Sequence, residues 1–183
     1  MTMNFSVIHT RKNTRIADYP QEVHFADIVI DGRSLFELFT DRGYDVVSCL
    51  GWEVAEYQLD GINRLLLESP NDMEEGRNSL YVCPACGDMG CGGITVRIEK
   101  AEDAVVWKEF AWTGYSGLEP KFRSDVIEDI GPYFFKWDNY YRAIKESYGL
   151  GNIVPSKSKE ELEKQRLEVE RIIEDFHKYA DNS

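Results

Sequence analysis

Three of the four cysteines of this 183-residue chain fall within one stretch of eleven residues, Cys83-Pro84-Ala85-Cys86-Gly87-Asp88-Met89-Gly90-Cys91-Gly92-Gly93. Thiolates are soft ligands, and a Cys-x-x-Cys on a tight knuckle is a common opening of a tetrahedral zinc site. Cys83 and Cys86 have that spacing, Gly87 follows them, and Cys91 could supply a third sulfur. No second Cys-x-x-Cys exists to complete a set of four. Cys49, His24 and His9 are distant candidates for a fourth ligand, and Asp88 is a hard, local one. The competing reading is a glycine-rich hairpin tip whose buried thiols act as small hydrophobes. Gly87, Gly90, Gly92 and Gly93 would then serve a backbone that needs positive φ. A dithiol redox site is disfavoured, because its thiols belong at a helix N-terminus and a strand follows here. A phosphate loop is rejected for want of a following helix and lysine.

Other constellations are incomplete. Gly114-Tyr115-Ser116-Gly117-Leu118 has leucine where a nucleophile elbow needs its second glycine. The histidines His9, His24 and His177 offer no pair at helical spacing. Acidic side chains are abundant, but no paired acid–base site can be read from them, and the chain is expected not to be an enzyme. Between residues 112 and 129, aromatics interleave with acids: Trp112, Tyr115, Glu119, Asp125, Glu128 and Asp129. Buried aromatic anchors with a charged rim suit a protein–protein interface. A solvated acidic loop lying over a sheet is the alternative.

The charge balance narrows the partner. Thirty-three acidic residues against 21 basic ones leave a net charge of −12. Phosphate neutralisation needs Lys and Arg, so direct nucleic-acid binding is not expected. The field favours a basic protein and speeds its encounter, besides serving solubility. No apolar run is long enough for a membrane span. Met1-Thr2-Met3-Asn4-Phe5-Ser6 has no basic head before an apolar stretch, so no secretory signal is read and a cytoplasmic location is expected. In a reducing compartment the cysteines are thiols or metal ligands, not a disulfide framework.

These residues need a scaffold, and hydrophobic periodicity supplies its outline. Phe5 to Ile8 reads as a short strand, and the basic run Arg11 to Arg15 as a loop. Glu22 to Ile30 alternates as a strand and ends at Asp31-Gly32. Ser34 is placed to cap a short helix, with Glu37 completing a capping box. Glu53 to Glu68 carries a helical stripe. A meander follows, with strands at Ser79 to Cys83, Gly92 to Glu99 and Ala104 to Trp112. In the third, Val105, Trp107, Glu109 and Ala111 are expected on one face. Thr113 to Gly131 reads as irregular, and Gly131 to Phe135 as extended. Asp138 is placed to cap a helix with Tyr141, Ile144 and Tyr148 inward.

The expected architecture is therefore α+β: an antiparallel sheet of four or five strands with helices on one face. Residues 1–150 form this domain, and residues 151–183 a linker and a long charged C-terminal helix. The helix opens with the capping box of Ser158 to Glu161. Its stripe of Leu162, Val169, Ile172, Ile173, Phe176 and Tyr179 is expected to pack on the domain, a dimeric coiled coil being the alternative.

The cysteine turn, its flanking Leu80-Tyr81-Val82 and Ile94-Thr95-Val96-Arg97-Ile98, Val105 to Phe110 and Gly131 to Phe135 resemble a group of uncharacterised bacterial proteins with a CPxCGDxGCGG turn between strands. The resemblance spans roughly residues 50 to 148 and implies no activity. The overall profile is similar to immunity proteins of contact-dependent growth inhibition systems. That similarity implies a monomer, or a heterodimer with a toxin, which blocks a basic nuclease domain by covering its active site. The surface for this is expected at Trp112, Tyr115, Glu119, Asp125, Glu128 and Asp129. A zinc-stabilised structural or nucleic-acid-associated module is the second expectation, and a small enzyme of unknown class the third.

Overall fold

The computed structural model describes residues 4–115, 121–153, 158, 160, 161, 163, 164, 167 and 171. Within them the fold is α+β. A three-stranded antiparallel sheet joins β1 (Ile8–Ile16), β2 (Glu22–Ile30) and β3 (Arg33–Ser34) in that order. A six-stranded antiparallel sheet runs β4 (Val47–Ser48), β5 (Arg77–Val82), β6 (Gly93–Ala101), β7 (Ala104–Tyr115) and β8 (Phe122–Val126), with β9 (Tyr133–Lys136) also paired to β7. Three helices are described over their whole length, α1 (Leu35–Asp41), α2 (Ala55–Leu65) and α3 (Trp137–Glu146), and the described residues from 160 to 171 are also helical. None of the described helices is long and apolar enough to cross a membrane.

The described residues thus form two sheets, where one of four or five strands was expected. The basic run accounts for much of the difference. Arg11 to Arg15 is strand, not loop, paired along its length with β2 from Arg11 opposite Asp27 to Arg15 opposite Val23. Its cations find distant acceptors. Arg11 reaches Asp27, and the nearly buried Arg15 forks onto Asp45 at 2.8 and 2.5 Å. A planar guanidinium held bidentately keeps its charge at low cost in hydration. The supposedly irregular stretch after Trp112 is also ordered in part. β7 continues to Tyr115, and β8 returns beside it.

Both sheets feed one core. Ile8, Phe25 and Ile28 come from the smaller sheet, and Tyr81, Val96, Trp107 and Phe135 from the larger. Ile62 and Leu65 of α2 and Tyr140 and Ile144 of α3 close it. Tyr140 ties three elements together: it accepts from Trp107 Nε1 at 3.1 Å and donates to the Leu65 carbonyl at 2.5 Å. Such pairing lets an amphipathic ring be fully buried without an unsatisfied hydroxyl.

Local signals are realised where the local sequence suffices. Ser34 Oγ accepts from the Glu37 N–H at 3.0 Å and caps α1. Ser158 Oγ accepts from Glu161 N–H at 3.2 Å, while Glu161 accepts from the Ser158 N–H at 2.7 Å, as a capping box requires. Leu162, Val169, Ile172, Ile173, Phe176 and Tyr179 lie outside the described residues.

Two faces differ from expectation. In β7, Glu109 takes a φ of +53° and the register to β6 shifts between Thr95 and Arg97. The extra residue reverses the alternation. Val105, Trp107 and Phe110 are buried, while Glu109 turns out to Arg97 at 3.1 Å. In α3 the N-cap is Lys136, not Asp138, because β9 runs straight into the helix and the Trp137 N–H is taken by the Asp103 carbonyl at 2.7 Å. The inward residues are Tyr140, Ala143 and Ile144, and Tyr141 and Tyr148 face solvent.

Beyond α3 the backbone is clamped. Gly151 and Asn152 donate to the Gly51 carbonyl at 2.8 and 2.9 Å. A Cβ on Gly151 would fall 2.4 Å from the His24 carbonyl, so only glycine permits this approach.

Candidate functional site

The cysteine turn joins β5 to β6. The Gly87 N–H closes back on the Cys83 carbonyl at 2.9 Å with Gly87 at a φ of +70°, and the Gly92 N–H closes on Met89 at 2.9 Å with Gly92 at +90°. Positive φ at two non-adjacent glycines folds the segment into consecutive tight loops. Asp88 holds the tip, accepting the Gly90 N–H at 2.7 Å and the Cys86 thiol at 3.3 Å. From beneath, Tyr57 donates to the Gly87 carbonyl at 2.7 Å, and Met89 is buried against Gly93.

This path gathers three sulfurs. The Sγ atoms of Cys83, Cys86 and Cys91 lie within 4.8 Å of one another, and those of Cys86 and Cys91 are 3.7 Å apart. Tetrahedral zinc with sulfur at about 2.3 Å sets its sulfurs roughly 3.8 Å apart. The cluster could hold a metal ion. Cys86 and Cys91 are exposed and Cys83 half-buried, so the picture of thiols buried as small hydrophobes does not describe them.

The thiols are electrostatically unequal. Burial opposes ionisation of Cys83, but the N–H groups of Ala85 and Cys86 and the thiols of Cys86 and Cys91 outweigh it and bring the Cys83 pKa down. The Cys86 thiol is pushed up to about 12, by desolvation first and then by its bonds to Cys83, Asp88 and Cys91. Metal binding at such a cluster would have to displace thiol protons, so it would depend on pH.

The distant candidates for a fourth ligand do not join. Cys49 is fully buried, donates toward the Ser79 carbonyl at 3.6 Å, and has its pKa raised to about 12 by burial. His24 engages Thr14 Oγ1 through Nδ1 at 2.8 Å and Glu22 through Nε2 at 3.1 Å. His9 is exposed on β1 and outside the cluster.

Of the aromatic and acidic candidates, Trp112, Tyr115 and Asp125 lie on a strand pair and not in a loop over the sheet. Trp112 on β7 stands opposite Asp125 on β8. Tyr115 stands opposite Phe122, and their rings stack at 4.3 Å. Tyr115 is 56% exposed, and Asp125, Glu128 and Asp129 are exposed. Glu128 and Asp129 sit in the turn after β8, while Glu119 lies outside the described residues. Half-buried Trp112 stacks on Tyr44 at 5.1 Å and covers Gly92, the last turn glycine before β6. The thiol turn and the aromatic pair are therefore neighbours on one end of the larger sheet. Tyr44, Phe122 and Tyr57 were not anticipated. Their contacts are non-local, and only the Phe122, Ser124, Val126 alternation on the outer strand hinted at β8.

No protein family, curated protein or solved structure matches this chain.

Proposed function

We propose that this chain is a non-catalytic cytoplasmic binding protein that covers a basic protein partner, as an immunity protein covers a nuclease toxin, and that its cysteine turn holds zinc. One observation carries the reading: half-buried Trp112 rests on the glycine that ends the thiol turn and stands opposite exposed Asp125, so the turn buttresses an aromatic residue beside an acidic one. Zinc supplies a rigid cross-link among the three sulfurs, which small irregular segments need in place of a local hydrophobic core. The rigid turn keeps Trp112 in place, and a preordered aromatic anchor loses little entropy on docking. The acidic rim and the net charge of −12 draw in a cation-rich partner. Blocking needs no bond-making, only occupation of the partner's active-site mouth.

The reading requires the neighbouring gene to encode a large exported protein with a basic C-terminal domain. That domain, purified, is expected to bind this chain one to one, with affinity falling as salt rises. The combined alanine variant at Glu119, Asp125, Glu128 and Asp129 is expected to slow association and flatten the salt dependence. Unchanged affinity and salt response in that variant would remove the interface assignment. For the turn, elemental analysis is expected to find about one zinc per chain, and chelation to lower the melting temperature. Protein that folds fully without zinc and gains nothing from it overturns the metal reading.

A further inference from the structure

We infer that Cys86 and Cys91 are a modification site: a hydroperoxide joins them into a reversible intramolecular disulfide, while Cys83 stays a thiol. The assignment stands on the positions of the sulfurs and is independent of the zinc reading above. Only its consequence for a bound ion draws on that reading.

Proximity comes first. The Sγ atoms of Cys86 and Cys91 are 3.7 Å apart, and a disulfide closes such a pair to roughly 2.05 Å. Both residues are exposed, so a small oxidant reaches either sulfur and the side chains have room for the remaining movement. The segment between them is pinned. Gly87 accepts from Tyr57 at 2.7 Å and donates to the Cys83 carbonyl at 2.9 Å. Met89 is buried, and the Gly90 N–H is bound by the Asp88 carboxylate at 2.7 Å. The backbone thus keeps one thiol beside the other, which favours reaction within the turn over capture of a thiol from elsewhere. A net charge of −12 acts in the same direction by repelling a second copy.

Cys83 is the sulfur left out. It is half-buried directly after β5, and its peptide groups are fixed on both sides: its N–H donates to the Asp88 carbonyl at 3.4 Å and its carbonyl accepts from Gly87. The pair in sulfur–sulfur contact is the exposed one.

The reaction takes two steps. One thiol attacks the peroxide, the O–O bond breaks, an S–O bond forms, and water or an alcohol leaves; the product is a sulfenic acid. The second thiol attacks that sulfur, the S–S bond forms, and the hydroxyl departs as water with the remaining thiol proton. Two thiols lose two electrons and two protons, and the hydroperoxide takes up both. This modifies the chain and does not turn over a disulfide substrate, so the helix N-terminus that a catalytic dithiol needs plays no part. Sulfurs joined to each other are no longer thiolates, so oxidation takes two of the three ligands from a bound zinc and releases it.

Mass spectrometry of the full-length protein, treated with a chelator and then with a small excess of hydrogen peroxide, tests this. Alkylation after denaturation is expected to add four groups before oxidation and two after it, and dithiothreitol to restore four. Trypsin leaves the three thiols of the turn on one peptide, residues 78–97, whose fragments are expected to carry the alkyl group on Cys83 alone. Cys83→Ser is expected to keep the bond and Cys91→Ser to lose it. Oxidation in concentrated urea is expected to scatter the pairing. Four thiols left after peroxide, a Cys83–Cys86 bond, dimers linked between chains, sulfinic acids in place of a disulfide, or the same pairing in urea each overturn the inference. Zinc-loaded protein separates the two readings. There peroxide is expected to act more slowly and to release the ion to a chromogenic chelator. If zinc does not bind and the Cys86–Cys91 bond forms, the zinc reading falls alone. If zinc binds and the chelator-treated protein forms no such bond, this inference falls alone.

Discussion

Trp112 and Gly92 are in contact so close that a methyl group on the glycine would sit 2.4 Å from the indole. Gly92 also has a φ of +90°, which side chains with a Cβ rarely adopt. Strain and overpacking therefore act together. Gly92→Ala is expected to cost about 3 kcal/mol of stability and to shift the tryptophan emission as Trp112 is displaced from Tyr44. Gly114→Ala is the matched control, since its new methyl would meet Gly92 Cα at an ordinary 3.5 Å. Equal urea midpoints for the two variants would contradict the packing described.

Asp27 is a fully buried carboxylate shared among several elements. It accepts from Ser34 Oγ at 2.8 Å, Asn13 Nδ2 at 3.2 Å, the Phe36 N–H at 3.3 Å and Arg11 Nε at 3.3 Å. Removing one partner of a buried charged network strands the others. Asp27→Ala is expected to destabilise the fold by about 3 to 5 kcal/mol, measured by denaturant unfolding. A loss under about 1 kcal/mol, the scale of an exposed ion pair, would show that the network contributes little.

Cys49 ties stability to alkaline pH. Its folded pKa is raised from 9.0 to about 12 by burial. The neutral thiol is thus favoured by the fold. Its contribution is intact below pH 9, where both states hold the proton, and is lost progressively as pH climbs toward 12 and the unfolded chain ionises first. The urea midpoint is expected to fall between pH 8 and pH 10, and Cys49→Ala to flatten that fall. The upper limit is chosen to stay near the ordinary range of tyrosine, because burial raises Tyr57 and Tyr140 as well. An alkylating reagent at neutral pH should label Cys91 and leave Cys49 unmodified until the protein unfolds.

Tyr140→Phe tests the core tie. It removes the acceptor of the Trp107 indole N–H and the donor to the Leu65 carbonyl, both buried. A loss of about 1 to 3 kcal/mol is expected, since two groups are left unpaired. A neutral outcome would mean that neither bond contributes net stability.

What the sequence made legible is what depends on neighbours in the chain. The Ser34 cap, the meander and the gathering of Cys83, Cys86 and Cys91 all follow from spacing over a few residues. What depends on distant partners was hidden. Arg11 to Arg15 looks like a loop until Asp27 and Asp45 are in place to receive its charges. Glu109 gives no sign of its bulge, because a non-glycine residue at positive φ has no local signature. The inward choice of Tyr140 over Tyr141 in α3 follows from Trp107 and Leu65, which lie far away in sequence. Similarly, Trp112 and Tyr115 were visible as candidates, but their stacking partners Tyr44 and Phe122 emerged only with the sheet.

The clamp of Gly151 and Asn152 on Gly51 fixes where the remaining chain departs. Asn152 lines the same shallow depression as Pro84 and Ala85, the two residues between the first pair of thiols. One backbone anchor therefore holds Asn152 against the loop that spaces Cys83 from Cys86, so a change at Gly51 would be felt at the thiol turn as well as at the end of α3.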